Sequence, residues 1–146
     1  MKGILNKIKF AASILTAKIL KKYRPFQVQL SVTNHCNLRC NYCYANYPER
    51  THRDIPTQDM IRIINELSET GTRRINLVGG EPLLRKDIGT IIDHIKAKGI
   101  ECAMTSNGYL VPQKINDVKK LDLLCISLDG DRKANDVNRG VGSYDK

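Results

Sequence analysis

Cys36, Cys40 and Cys43 place three thiols in one short segment at the spacing C-x3-C-x2-C, directly after an apolar run. Thiolates are soft ligands suited to iron–sulfur clusters, zinc or copper(I), so the segment reads first as a metal site. No fourth cysteine stands nearby in sequence. Cysteine-bound clusters usually take four thiolates, and a three-cysteine loop holding a [4Fe–4S] cluster leaves one iron open to a ligand from outside the protein. An open iron points to chemistry rather than electron storage. The competing reading is a zinc site completed by His35 or His52, in a non-catalytic module whose basic N-terminus contacts RNA or a membrane. Structural zinc sites usually bring two paired cysteine motifs, and the second pair is missing here. Arg39, inside the loop, is placed in sequence to lower the thiol pKa values.

A second constellation is Gly79-Gly80-Glu81-Pro82. Two glycines leave the backbone open to close approach, and the proline holds Glu81 extended, so a carboxylate there is placed to receive an ammonium group. By itself the tetrapeptide reads as a tight turn before it reads as a binding site. Asn107-Gly108 and Asp129-Gly130 are ordinary turn dipeptides on the same terms.

These residues need a scaffold that brings them together, and the hydrophobic pattern supplies one. Gln27 to Val32 alternates as a strand and runs straight into the cysteine loop. After Pro56, with Thr57 as N-cap, Met60, Ile61, Ile64 and Leu67 mark the apolar face of a helix that Gly71 stops. Arg74 to Val78 is a strand ending at the glycine pair, Ile88 to Lys98 a helix ending at Gly99, and Ile100 to Thr105 another strand. A shorter helix from Pro112 to Lys120 leads to a last strand, Leu123 to Leu128. Strands alternating with helices of this length predict parallel β/α units with right-handed crossovers. In such folds the loops after the strands share one face, so all the motifs converge there.

The 146 residues suffice for one domain, and 41% hydrophobic with 27% charged residues reads as a soluble globular chain. No apolar stretch approaches the roughly 20 residues a membrane-spanning helix needs. The net charge of +9 sits in the N-terminal segment: Lys2, Lys7, Lys9, Lys18, Lys21, Lys22 and Arg24 meet no acidic residue there, and the remainder is close to balance. Residues 1–24 therefore read as a basic amphipathic helix, with Ile4, Ile8, Ala11, Leu15 and Ile19 on one side, and residues 25–146 as the domain. That helix suits packing across the domain or peripheral contact with an anionic membrane, and it lacks the pattern of a secretory signal. Specific nucleic-acid binding is not expected. Five cysteines with three in one loop do not form a secreted disulfide framework, which points to a reducing, cytoplasmic setting, possible contact with the inner membrane face included. Cys102 and Cys125, in apolar runs, read as small buried hydrophobes.

Taken together, the motifs resemble those of the radical S-adenosylmethionine (SAM) enzymes. The run from Thr33 through Cys36, Cys40, Tyr42 and Cys43 is similar to that family's cluster loop, including the aromatic residue before the third cysteine. Gly79-Gly80-Glu81-Pro82 resembles its motif for the SAM amino group, and Ser127-Leu128-Asp129-Gly130 with Arg139 resembles a segment that meets the SAM ribose and carboxylate. The likeness spans Phe26 to Gly140. It implies a partial TIM-type (β/α) barrel, a [4Fe–4S] cluster on Cys36, Cys40 and Cys43, and SAM on the open iron. It further implies that Glu81 orients the amino group, Arg139 pairs with the carboxylate, Ser127 or Asp129 meets the ribose, and Tyr42 passes over the adenine. Gly79, Gly80 and Asn107 complete the cofactor-binding set; no catalytic side chain is assigned. One-electron reduction by an external donor of flavodoxin or ferredoxin type would cleave SAM to methionine and a 5′-deoxyadenosyl radical, which abstracts hydrogen from a substrate.

Two features depart from the family pattern. Its members carry six β/α units, whereas this sequence supplies four, so the remaining SAM contacts and much of the substrate pocket are expected outside these residues. Members with a C-terminal cluster-binding extension have a histidine before the aspartate that precedes the arginine; here the pair is Asn135-Asp136.

Overall fold

A computed structural model describes residues 24–47 and 53–146, together with Ala12. The helix expected over residues 1–24 therefore lies almost wholly outside the described residues, as does His52. The elements run β1 (Gln27–Thr33), α1 (Thr57–Glu69), β2 (Arg74–Gly79), a 3-10 turn (Pro82–Leu84), α2 (Ile88–Ala97), β3 (Glu101–Ser106), α3 (Ile115–Val118), β4 (Leu123–Ile126), α4 (Arg132–Arg139) and a last 3-10 turn (Ser143–Asp145). All three strand pairings are parallel, in the order β1-β2-β3-β4. No helix among the described residues is long and apolar enough to cross a membrane.

Each strand is two-faced. Leu30 and Val32, Ile75 and Leu77, and Cys102 and Met104 point to one side, where they meet Met60 and Ile64 of α1 and the four fully buried isoleucines of α2. Burying each such side chain contributes about 1.5–3 kcal/mol. The opposite side carries Gln29, Asn76 and Thr105, with Arg74 paired to Glu101 at 2.6 Å. Asn76 donates to the Thr105 hydroxyl at 3.3 Å. Parallel sheets normally bury both faces under helices. Here a helical layer covers one face and a polar surface forms the other, as in the wall of a barrel.

The register between β1 and β2 breaks between Ser31 and Thr33, so Val32 has no partner opposite it. Val32 and Thr33 are consequently both buried, two residues in a row, where strict alternation would expose one. The bulge re-aims the chain as it enters the cysteine loop.

Several sequence expectations need correcting. Thr57 is the first helical residue of α1 and Pro56 the N-cap; the Thr57 hydroxyl donates to Asp87 instead of capping the helix. The helix expected over 112–120 shrinks to the four residues of α3, flanked by turns. Cys102 is buried as expected, but Cys125 is exposed because β4 pairs on one side only among the described residues. Helix α4 was not anticipated at all. Its signals were local: Asp131 accepts from the Ala134 amide as N-cap, and Gly140 ends the helix at φ 114°.

Candidate cluster and cofactor site

The loops after all four strands lie on one edge and are stitched together by hydrogen bonds. From the β1 loop, Thr33 and His35 offer their carbonyls to the amides of Gly80 and Glu81 at 3.0 and 2.8 Å. This contact explains the glycine pair. A Cβ on Gly80 would stand 2.1 Å from the His35 carbonyl oxygen, and one on Gly79 2.5 Å from that of Thr33. The glycines are needed for the approach of the cysteine loop itself, before any ligand is considered. Gly79 also holds φ at 137°, where a side chain is strained.

Glu81 is extended, with φ −121°, and its carboxylate is fully buried. One oxygen accepts from the Ser106 hydroxyl at 2.9 Å and the Leu83 amide at 3.0 Å, the other from the Asn107 amide at 2.8 Å. Burial pushes the Glu81 carboxyl upward while these three donors oppose the shift. The carboxylate thus bolts the β2 loop to the end of β3. Beyond it, the Asn107 side-chain amide donates to Asn37 in the cysteine loop at 2.8 Å, and the Ser127 amide donates to the Ser106 carbonyl at 2.9 Å. The amide of Asn41 donates to the Asn138 carbonyl at 2.9 Å, docking the end of α4 against the cysteines.

These contacts frame a cleft of about 370 Å³. Cys36, Cys40, Cys43, Tyr42, Gly79, Gly80, Asn107, Ser127 and Arg139 all line it, so nine of the residues singled out from sequence come together. Glu81 and Asp129 stand behind the wall. Asp129 holds Arg139 at 2.8 Å, and Arg139 lies 5.6 Å from the centre of the Tyr42 ring. Arg139 keeps the Asp129 carboxyl below the usual carboxylate range, whereas burial and Asp129 push the Tyr42 phenol up to about 12. Missed from sequence are Gln29, Asn76 and Thr105, which form the polar floor of the cleft. A polar residue every second position, inside otherwise apolar strands, was their only signal.

The expectation for Arg39 also changes. Burial raises both the Cys36 and Cys40 thiols, and the cation that counteracts this at Cys40 is Arg139 from α4. Among the described residues no three His, Cys, Asp or Glu side chains converge on a position for one metal ion. Three thiols lining one cleft are a donor set that suits a polynuclear iron–sulfur cluster, in which each thiolate would hold a different iron. The donor set therefore fits the cluster expected from the spacing.

A family model described as "Radical SAM superfamily" matches residues 30–146. The probable GTP 3′,8-cyclase of Methanococcus maripaludis is 41% identical over 106 residues, covering 69% of this chain and 35% of that protein. The Fe-coproporphyrin III synthase of Methanosarcina barkeri is 32% identical over 120 residues, covering 79% and 30%. The chain thus spans about a third of the length of these curated relatives. Among solved structures, Streptococcus suis SuiB bound to S-adenosylmethionine superposes with a TM-score of 0.74 at 22% identity, covering 83% of this chain and 29% of that one. The AdoMet-bound anSMEcpe gives 0.68 at 16%, covering 82% and 37%. With four parallel strands, a three-cysteine loop after the first and a family match over most of its length, the chain belongs to the radical SAM superfamily, enzymes that work with a [4Fe–4S] cluster and SAM.

Proposed function

We propose that these residues form the cofactor-binding portion of a radical SAM enzyme. Cys36, Cys40 and Cys43 would hold a [4Fe–4S] cluster with one iron open to SAM. The observation that carries this reading is the single cleft in which the three thiols, the Gly79-Gly80 edge and the Arg139 guanidinium meet. When bound and reduced, the cluster with SAM supplies a 5′-deoxyadenosyl radical for hydrogen abstraction from a substrate.

The chain's own residues bind and orient. The glycine edge, with the buried charge of Glu81 behind it, suits the amino group of SAM. Arg139, held by Asp129, would offer a cation to the carboxylate, and Ser127 and Asn107, which line the same cleft, would offer hydrogen-bonding partners to the ribose hydroxyls. Tyr42, stacked on Arg139, gives that end of the cleft an aromatic wall suited to adenine. The electron comes from an external donor of flavodoxin or ferredoxin type. The relatives are named for unlike products, a cyclised GTP and an iron porphyrin, yet share this portion. Substrate choice therefore belongs to residues that differ between them.

Anaerobic reconstitution with iron and sulfide tests the reading. A brown protein with broad visible absorption and about four irons per chain is expected, lost in Cys40→Ala. A colourless protein holding one zinc overturns it. In a chain extended to the length of its relatives, SAM and dithionite should yield 5′-deoxyadenosine.

A further inference from the structure

The cysteine loop follows Thr33 at the end of β1, and the segments on either side of it are tied by side chains that do not line the cleft. Asp54 makes one tie: it accepts from the Thr33 hydroxyl at 2.7 Å and from the Asn34 amide at 2.8 Å. Arg85 makes the other. Six residues after Gly79, it lies on the far side of the β2 loop with 6% of its surface exposed. Its guanidinium donates to the Val32 carbonyl at 2.7 Å and to the Ile55 carbonyl at 2.9 Å, one on each side of the loop. Asp87 neutralises it through a two-pronged pair at 2.8 and 3.0 Å, and the Thr57 hydroxyl in turn donates to Asp87.

The bulge in β1 gives Arg85 its place. Val32 has no partner opposite it in β2, which frees its carbonyl for the guanidinium, and a buried carbonyl needs a donor. A planar fork reaches two carbonyls and a carboxylate together; a lysine ammonium offers three donors from a single point and cannot span that geometry. We propose that Arg85, with Asp54, is the clasp that closes the base of the cysteine loop and so sets the placement of its three thiols. Arg85 is a positioning residue acting through Val32 and Ile55. The proposal rests on the cluster reading only for its consequence at the cofactor; closure of the loop stands independently.

Hydrogen exchange on the metal-free chain tests closure directly. In Arg85→Lys and in Asp54→Ala, amides of residues 35–47 should exchange about tenfold faster than in the unsubstituted chain, while those of β2 and α2 keep their rates. Asp54, partly exposed, is the safeguard should Arg85→Lys fail to fold. Unchanged loop exchange in the folded variants overturns the clasp, and so does acceleration spread equally through β2 and α2. Reconstituted variants should then bind less iron, with the electron paramagnetic resonance spectrum of the reduced cluster broadened and its response to SAM diminished. Spectra and SAM response identical to the unsubstituted chain overturn the link from clasp to thiols. An unsubstituted chain that assembles no cluster instead refutes the proposed function and leaves the exchange result to judge the clasp.

Discussion

The amide of Glu81 donates to the carbonyl of His35 at 2.8 Å, and this bond holds the glycine pair of the β2 loop flat against the cysteine loop. The approach leaves no room for a Cβ at Gly80. Gly80→Ala should therefore part the two loops, destabilising the fold by about 1–3 kcal/mol, the usual cost of overpacking. Thermal unfolding reads the first effect; iron bound after reconstitution reads the second, and a variant that keeps both values refutes the contact's role.

Glu81 satisfies three donors at once, which only a carboxylate of that length does in this pocket. Glu81→Gln keeps the shape but turns an amide nitrogen toward one of the donors. A loss of about 1–3 kcal/mol is expected, with Ser106→Ala costing about 1 kcal/mol because it removes a single bond. Urea denaturation should rank the two variants in that order.

Arg139 reaches the cleft while paired to Asp129 at 2.8 Å. On the reading of the site given above, Arg139→Ala should weaken SAM binding to the reconstituted protein by about 10–100-fold, the worth of a charge-assisted hydrogen bond. Equilibrium dialysis checks this. Asp129→Asn should weaken binding less, since the guanidinium remains but loses its anchor.

The fully buried Glu81 and the half-buried Asp87 give stability opposite dependences on pH. At Asp87 burial works against ionisation, but hydrogen bonds from Arg85 and Thr57 outweigh it and its pKa falls. Its contribution is complete above the unfolded value of about 3.9 and is lost as pH drops through the lower folded value. Glu81 is raised by burial, so its protonated form favours the fold, and stability declines as pH rises from about 4.3 through the folded value. Urea midpoints measured from pH 2 to 7 should show both slopes. Asp87→Asn should make the acid limb shallower, since Asp122, Asp129 and Asp136 are also held below the usual carboxylate range, and Glu81→Gln should flatten the other.

The sheet was legible from the sequence because its strands alternate and its helices carry isoleucines and leucines at helical spacing. Ile88, Ile91, Ile92 and Ile95 mark α2 without ambiguity, and all four are fully buried. Elements at the open edge were harder to read. Leu123 to Ile126 forms β4 with half-exposed side chains, and the polar α4 has Asn135 as its only buried residue, so no apolar stripe announces it. Capping signals alone would have found it.

Sequence spacing by itself marked a thiolate metal site, since C-x3-C-x2-C fixes how many thiolates one loop can present, and it determined that the motifs follow successive strands. Only the tertiary structure decided what each motif is for. Gly79 and Gly80 make way for a neighbouring backbone, the Glu81 carboxylate ties two loops, and Arg139, far from the cysteines in the chain, supplies the cation at Cys40 that Arg39 was expected to supply. The physical reason is that these roles depend on contacts between residues distant in the chain. Periodicity and composition report only on near neighbours, whereas a carbonyl left free by a bulge, or an arginine that reaches it from behind, exists only once the strands have paired.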